Sequence, residues 1–137
     1  MALICDTGPL LAALDAADSD HERCARLLTE ADEDLVVPLL VLAELDYWCA
    51  RRLPSAAWLI FVDDLLAGVY RVEAPTGVDL ARCRDLQAQY ADLSLGVVDA
   101  SVVALAERLA EPKIATLDQR HFRAVRPAHV DTLELRP

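Results

Sequence analysis

The sequence predicts an α/β protein in which a short, mainly parallel sheet is covered by helices on both faces. Short apolar segments of strand length alternate along the chain with longer segments of helical length, and this alternation is typical of such sheets. The composition is 55% hydrophobic but only 5% aromatic, which suits close-packed helices around a small sheet. With 137 residues, the chain is expected to form one domain over residues 1–137.

The first strand is predicted at Ala2–Cys5, where apolar residues run directly into Asp6. Gly8 and Pro9 end this strand and open a helix that reaches Leu14. In open α/β sheets, ligands bind at the carboxyl ends of the strands. Asp6 is therefore a candidate functional residue, because an isolated buried carboxylate is costly without a positive partner.

The next segments alternate in the same way. The acidic stretch from about Ser19 to Ala31 has apolar residues at helical spacing, so we expect a helix with one solvated face. Leu35–Val37 is predicted as a short strand that ends at Pro38. A mostly apolar helix is then expected at Leu39–Ala50, with Glu44 in its middle. Glutamate is rarely buried without a partner, which makes Glu44 the second candidate.

Two further acids repeat this pattern in the second half of the chain. Asp99 is the only acid in the apolar run Leu95–Ala106, and a short apolar strand that begins at Lys113 runs into Asp118. The remaining expected elements are strands at Val69–Val72 and near Val130–Leu135, and helices at Ser55–Ala67, from Thr76 to about Tyr90, and at Gln119–Ala124.

The four candidate acids are expected to converge, because the carboxyl edge of a parallel sheet would bring Asp6 and Asp118 together. The set consists of Asp6, Glu44, Asp99 and Asp118. A site rich in oxygen, without nitrogen or sulfur ligands, selects a hard cation such as Mg²⁺ or Mn²⁺. One or two such ions would offset the repulsion among the carboxylates. Hydrolysis of a phosphodiester is the reaction that such a site supports best.

The charge of the chain limits its partners. The formal net charge of −10 argues against non-specific attraction to nucleic acid or an anionic membrane, so a polyanionic substrate needs bound cations, a local arginine patch or a basic partner chain. No apolar run reaches the roughly 18 residues of a membrane-spanning helix, and no secretory signal is recognised. We therefore expect a soluble, cytoplasmic protein. The four cysteines form no CxxC pair, so we expect them to be reduced and buried rather than to bind zinc.

Four short motifs, taken in order, resemble the PIN-domain family and, more narrowly, the VapC toxins of bacterial toxin–antitoxin pairs. The motifs are Ile4-Cys5-Asp6-Thr7, Val41-Leu42-Ala43-Glu44-Leu45, Asp99-Ala100 at the start of an apolar helix, and Thr116-Leu117-Asp118 followed by Arg120-His121-Phe122. Each motif alone is weak, but together they cover essentially the whole chain. Residues 1–137 are therefore interpreted as one PIN-like nuclease domain with a three-layer fold.

The resemblance implies a Mg²⁺- or Mn²⁺-dependent endoribonuclease that acts as the toxin of a type II toxin–antitoxin system. In that family the acids that match Asp6, Glu44 and Asp99 are central metal ligands, whereas the acid that matches Asp118 is more variable. We predict that all four residues bind metal and serve catalysis on RNA. We also predict a homodimer, and a small cognate antitoxin that lays a basic or apolar segment across the acidic pocket, since an acidic chain favours a cationic partner.

The roles of the neighbouring polar residues stay open in the sequence. The hydroxyls of Thr7 and Thr116 either orient a carboxylate or a water, or cap a helix or turn. Asp92 is either an extra acid near the site or a helix cap, and His121 is interpreted as a structural or rim residue rather than a general base. Five arginines are candidates for an RNA path or for solvated surface charges: Arg51, Arg52, Arg120, Arg123 and Arg126.

Three alternative functions are weighed against the ribonuclease toxin. Asp6-Thr7-Gly8 also matches the tripeptide of aspartic proteases, but it occurs once and precedes a helix, so we reject that class. The second alternative is an RNA-binding protein that keeps the fold without catalysis, against which the presence of all four acids argues. The third is a PIN-type RNA-processing nuclease without an antitoxin.

Overall fold

The computed structural model describes residues 1–137, which contain five strands, seven α-helices and one short 3₁₀ helix. The strands are β1 (Ala2–Cys5), β2 (Asp34–Pro38), β3 (Tyr70–Glu73), β4 (Lys113–Ala115) and β5 (Glu134–Arg136). The helices are α1 (Thr7–Leu14), α2 (His21–Glu30), α3 (Leu39–Arg52), α4 (Ser55–Leu66), α5 (Gly77–Gln89), α6 (Val97–Leu109) and α7 (Gln119–Ala124), and the 3₁₀ helix spans Ala91–Leu93. Strands and helices alternate as the sequence predicts.

All strands pair in parallel in one sheet of order β3-β2-β1-β4-β5. The central strand is β1, in which Ile4 is in register with Val36 of β2 and with Ile114 of β4. The chain steps from β1 to β2 and β3 on one side, then crosses to β4 and β5 on the other. The ends of β1 and β4 therefore mark the point where the strand order reverses, which is where open α/β sheets form their ligand crevice.

The helices cover both faces of the sheet. Helices α1 to α4 connect strands that step in one direction across the sheet, whereas α5 to α7 connect strands that step in the opposite direction. Since such crossovers are right-handed, the two sets of helices lie on opposite faces. The predicted α/β fold, with a parallel sheet between two helical layers, is confirmed.

The core is one cluster of 26 buried apolar residues, centred on β1 and α6. No residue of β1 is more than 4% exposed, because a central parallel strand is covered on both faces. Helix α6 contributes an unbroken buried run, Ala100–Ala106, that packs against β1 and β2. The long apolar segment around Asp99 is thus explained as the most deeply buried helix of the fold.

Some boundaries and faces differ from the sequence prediction. Strand β4 ends at Ala115, so Asp118 lies in the following turn rather than at the strand end. The last strand spans Glu134–Arg136 instead of beginning near Val130, since its ladder with β4 is only three residues long. Leu66 lies at the C-terminal end of α4 and is 82% exposed, so it is not part of the buried face of that helix.

All four cysteines are buried and unpaired, in agreement with their interpretation as core residues. Burial, followed by the neighbouring charge of Asp6, raises the pKa of the Cys5 thiol to about 12. Burial also raises the pKa of the other three thiols, which are Cys24, Cys49 and Cys83. The thiols therefore stay protonated and pack as small apolar groups. None of the helices has the length and hydropathy needed to span a membrane.

A polar cluster holds the start of α5 against α6. Asp79 is only 5% exposed, and its Oδ2 accepts hydrogen bonds from the backbone N–H of Thr76 (2.9 Å) and from Nε of Arg108 on α6 (2.9 Å). The Thr76 hydroxyl accepts the Asp79 N–H in return, which completes a capping box. Asp79 thus satisfies a helix terminus and an arginine at once.

We predict that Asp79→Ala lowers the free energy of unfolding by about 2–4 kcal/mol, because it removes the cap and leaves Arg108 without its closest carboxylate. The matched control is Asp85→Ala on the exposed side of α5, which is expected to change stability by less than about 0.5 kcal/mol. Urea unfolding followed by circular dichroism measures both. A loss of under about 1 kcal/mol for Asp79→Ala would contradict the assigned role.

Candidate metal centre

A cavity of about 580 Å³ opens at the carboxyl edge of the sheet, beside the ends of β1 and β4. All four acids that the sequence singled out line this cavity. Its lining consists of Asp6, Thr7, Gly8, Leu11, Glu44, Trp48, Arg52, Asp99, Leu117 and Asp118. The structure therefore brings the predicted residues together at the point where the strand order reverses.

Asp6 is held at the base of the cavity by the sheet itself. Its backbone N–H donates to the Ala115 carbonyl of β4 at 2.9 Å, which continues the β1–β4 pairing by one residue. The carboxylate caps no helix, although Asp6 occupies the N-cap position of α1. Oδ2 accepts a hydrogen bond from the Thr116 hydroxyl at 2.9 Å, whereas the buried Oδ1 has no partner. One carboxylate oxygen is thus fixed and the other is available to a ligand.

Thr116 combines the two roles that the sequence left open. Its hydroxyl donates to Asp6 and accepts the backbone N–H of Asp118 at 3.1 Å. Thr116 is completely buried, and its hydrogen bond to Asp6 links the residue after β4 to the residue after β1. The other threonine, Thr7, is also buried, but its hydroxyl makes no hydrogen bond.

The close approach of two loops shapes the cavity. Gly8 packs beside Leu117, and a Cβ built on Gly8 would lie 3.2 Å from the Leu117 Cβ. This distance is tighter than ordinary van der Waals contact. The absence of a side chain at Gly8 therefore lets the start of α1 approach the connection between β4 and α7, and so brings Asp6 near Asp118.

Glu44 and Asp99 reach the cavity from helices on opposite sides of the sheet. Glu44 lies in the middle of α3, and Asp99 is in the first turn of α6. The positive end of the α6 dipole favours a carboxylate at that place. Asp118 precedes α7 and is the most exposed of the four acids. Its side chain is 48% accessible, against 19% for Asp99.

His121 makes contacts that the sequence did not predict. Its Nδ1 donates to Oδ2 of Asp99 at 2.9 Å and lies 3.1 Å from Oδ2 of Asp118. One ligand atom from each of these three residues lies within 4.8 Å of the others. A histidine nitrogen therefore lies against two of the four acids, whereas the predicted ligand set contains only oxygen atoms. The sequence could have indicated the contact with Asp118, because Asp118 and His121 are three residues apart at a predicted helix start and such residues are neighbours on a helix.

Burial and mutual repulsion raise the pKa values of the two innermost acids. Burial is the main cause that raises the pKa of Asp6 to about 7, and the charges of Asp99 and Glu44 add to it, while the Thr7 N–H and the Thr116 hydroxyl oppose it. Burial also raises the pKa of Asp99, where the hydrogen bond from His121 acts in the opposite direction and the charges of Asp118 and Glu44 raise it further. The site is thus short of positive charge.

The residues present fit a divalent cation of the Mg²⁺ or Mn²⁺ type. The unpartnered, buried Oδ1 of Asp6 needs a positive ligand, because its burial otherwise has a free-energy cost. The other three acids around the same cavity supply the carboxylate oxygens that such ions prefer. The donor set is thus suited to a hard cation.

The other candidate residues are only partly associated with this cavity. Among the five arginines considered for an RNA path, only Arg52 lines it. Arg51 lies over the Tyr47 ring, and Arg123 and Arg126 line a separate cavity of about 500 Å³. Asp92 is exposed in the 3₁₀ helix and does not line the acidic cavity, and the helix cap of α6 is Gly96 rather than Asp92.

The chain is similar to a well-defined set of proteins. A family model described as the PIN domain matches residues 3–127. A protein named Ribonuclease VapC26 from Mycobacterium tuberculosis is 36% identical over 125 residues, which cover 91% of this chain and 93% of that relative. The crystal structure of VapC20 from the same organism, described as a sarcin-ricin loop cleaving toxin, matches with a TM-score of 0.83 at 21% identity, over 98% of this chain and 99% of that one.

A second solved structure has the same fold. It is a toxin-antitoxin complex from Klebsiella pneumoniae, which matches with a TM-score of 0.68 at 15% identity over 90% of this chain and 92% of that one. Because both solved structures are below 25% identity, they establish the fold alone.

We predict that Asp6→Asn stabilises the metal-free protein at alkaline pH. Because burial raises the pKa of Asp6, the protonated carboxyl stabilises the folded state. This contribution is fully present at pH values below the ordinary pKa of 3.8, and it is lost as the pH rises through about 7. In EDTA at pH 8 the variant should therefore be more stable than the parent by on the order of 2–4 kcal/mol, and the difference should shrink toward pH 4. Urea unfolding across this pH range measures it.

The control for this experiment is Asp92→Asn, which changes an exposed aspartate outside the cavity and is expected to shift stability by less than about 0.5 kcal/mol at every pH. Equal stability of Asp6→Asn and the parent at pH 8 would show that the Asp6 carboxylate is not destabilised by its burial.

Proposed function

The chain belongs to the PIN-domain family and, within it, to the VapC-type proteins, and from this premise we propose that it is a metal-dependent endoribonuclease that acts as the toxin of a type II toxin–antitoxin pair. The observation that carries the proposal is the convergence of Asp6, Glu44, Asp99 and Asp118 on one cavity, with an unpartnered Asp6 oxygen at its base. The name of the 36% identical relative supports RNA as the substrate. Residues 1–137 would act as one nuclease domain.

Asp6, Glu44, Asp99 and Asp118 would hold Mg²⁺ or Mn²⁺. When bound, such a cation lowers the pKa of a water and stabilises negative charge on the scissile phosphate and the departing oxygen. It also compensates the excess negative charge of the four carboxylates, so a phosphate can enter a cavity that would otherwise repel it.

The protein's own groups fix the reacting geometry. Thr116 holds Oδ2 of Asp6 in place, which leaves Oδ1 to bind the cation. The carboxylate of Asp6 or of Asp99 would also orient the attacking water and accept its proton. His121 holds the carboxylates of Asp99 and Asp118 in a fixed relation. The water oxygen bonds to phosphorus as the bond to the 3′ oxygen breaks, and the leaving oxygen takes up a proton from solvent. The products are a 5′-phosphate and a 3′-hydroxyl.

The proposed partners follow from the charge of the site. A small cognate antitoxin would inhibit the enzyme by laying a basic or apolar segment across the acidic cavity, since the chain carries a net charge of −10. The description of a similar structure as a toxin-antitoxin complex supports such a partner. We further propose that the toxin is a homodimer in the cytoplasm.

The first test is cleavage of a pool of structured RNAs with Mg²⁺, with Mn²⁺ and with excess EDTA. We expect cutting only with metal, and a loss of at least about 100-fold in Asp6→Ala and Asp99→Asn, because each removes a carboxylate from the site. Asp92→Asn, outside the cavity, should cut normally. Metal-independent cutting, or normal cutting by Asp99→Asn, would overturn the assignment. RNA binding without cutting by the folded parent would favour the non-catalytic alternative.

A second test concerns His121 as a positioning residue. His121→Gln removes the Nδ1 donor shared by Asp99 and Asp118, so we expect Mn²⁺ affinity and kcat each to fall by about 10- to 100-fold. Calorimetric Mn²⁺ titration and RNA cleavage measure the two effects. The control is His21→Gln, since His21 bonds to the Ala12 carbonyl away from the cavity. Unchanged Mn²⁺ affinity in His121→Gln would contradict the positioning role.

A further inference from the structure

We propose that Trp48 and Arg52 form a nucleotide subsite beside the acidic cluster, in which the Trp48 indole stacks on one unpaired RNA base and Arg52 binds a neighbouring phosphate. The inference rests on the proposed function, because it names the part of the RNA that the same cavity receives. It predicts that the enzyme requires an unstacked base next to the cleaved bond.

The three residues that α3 contributes to the cavity lie on one stripe of that helix. Glu44, Trp48 and Arg52 are spaced at intervals of four residues, so their side chains follow one another along the same face. Each step of four residues advances about 6 Å along the helix axis. Arg52 is therefore about 12 Å from Glu44 along this axis, and it is placed to contact a phosphate beyond the one held at the acids. Trp48 lies between them.

Trp48 is an unusual residue to leave open to solvent in this chain. Only 5% of the residues are aromatic, yet Trp48 is 39% exposed at the rim of the cavity, whereas Trp58 packs against the core residue Phe61. The Trp48 ring meets the Tyr47 ring edge to face, with centroids 5.2 Å apart, and Arg51 lies over Tyr47 at 4.2 Å. These contacts hold the indole in place before a ligand arrives, which lowers the entropy lost on stacking.

Arg52 is the only cationic residue that lines the cavity, and it forms no salt bridge with any of the acids there. Because Arg52 pairs with none of the four carboxylates in the cavity, its guanidinium is available to bind another anion. The planar guanidinium binds phosphate oxygens through two parallel hydrogen bonds. Arg52 thus supplies a positive contact at one end of the cavity, in a protein whose net charge otherwise repels RNA.

An exposed indole and a free guanidinium on one helix face match the chemistry of single-stranded RNA. Unpaired bases stack on aromatic side chains, whereas the bases of a duplex are already stacked on each other. A basic inhibitory segment would find its charge partners at the four acids and none at Arg52, so the observations favour RNA over an antitoxin as the ligand of Trp48 and Arg52.

Fluorescence tests the stacking directly, because Trp48 and Trp58 are the only tryptophans. In a Trp58→Phe, Asp99→Asn double variant with Mg²⁺, all tryptophan emission comes from Trp48 and the RNA stays intact. We expect quenching by a mixed-sequence single-stranded RNA, and little response to an abasic strand of equal length or to duplex RNA. The matched control is Trp48→Phe, Asp99→Asn, in which only Trp58 emits and no quenching is expected. Equal quenching by intact and abasic strands would overturn the proposal.

Kinetics on a single-stranded substrate provide an independent test. Trp48→Ala should raise KM by about tenfold with a smaller change in kcat, and Trp48→Phe should largely restore KM because it keeps an aromatic face. Arg52→Ala should raise KM similarly and weaken its dependence on salt. The controls are Leu66→Ala and Arg84→Ala, which truncate exposed side chains outside the cavity and should leave KM unchanged.

The outcomes also separate this inference from the proposed function. If Asp99→Asn abolishes cutting while Trp48→Ala and Arg52→Ala leave KM unchanged, the nuclease assignment stands and the subsite is wrong. The subsite is equally wrong if the two variants lose affinity only for a basic inhibitory peptide. If the parent cuts no RNA but Trp48 is still quenched by single strands and not by abasic ones, the subsite stands and the catalytic assignment fails.

Discussion

The burial of the Asp6 carboxylate at the end of the central strand is the constraint on which the site depends. A carboxylate at this position is unfavourable in the metal-free protein, since burial and the neighbouring acids raise its pKa to about 7. The fold keeps it there because the Asp6 backbone continues the β1–β4 pairing and Thr116 holds one of its oxygens. The remaining oxygen has no protein partner, so the charged form of the carboxylate is satisfied only when a positive ligand supplies one.

The acids of the site destabilise the metal-free protein at this edge of the sheet, whereas the contacts that stabilise the fold lie elsewhere. The region around β1 and α6 is packed almost entirely with apolar residues, and the polar cluster of Asp79 and Arg108 lies at a different helix junction. This rigid surrounding structure lets the site hold several carboxylates close together. A site held in this way is preorganised, since its side chains are fixed before metal or substrate arrives.

The distribution of charge explains how an acidic protein can act on an acidic substrate. Attraction over the whole surface is ruled out by the net charge of −10, so recognition must be local. Metal bound at the carboxylates would supply positive charge at the scissile phosphate, and Arg52 would supply it at one end of the same cavity. The Trp48 indole adds an interaction that does not depend on charge. Local recognition of this kind favours substrates with exposed bases over uniform duplexes.

The amino-acid sequence by itself determined the order of strands and helices and the identity of the acids. Strands such as Ala2–Cys5 could be predicted because a buried parallel strand needs a continuous apolar run, and Glu44 and Asp99 could be found because a lone acid in such a run has no structural reason to be there. The ends of the short strands could not be predicted, since β4 and β5 pair over only three residues and the ladder between them decides where they end.

Only the tertiary structure decided which side chains meet. The contact of His121 with Asp99 joins residues 22 positions apart, and the bond from Thr116 to Asp6 joins residues 110 positions apart. Such pairs follow from strand order and helix packing rather than from local pattern. The absence of a salt bridge at Arg52 and the exposure of Trp48 likewise depend on which residues the rest of the chain places around α3. The spacing of apolar residues determines whether a segment forms a helix or a strand. Long-range packing determines which side chains lie next to one another, and the chemistry of the site depends on those contacts.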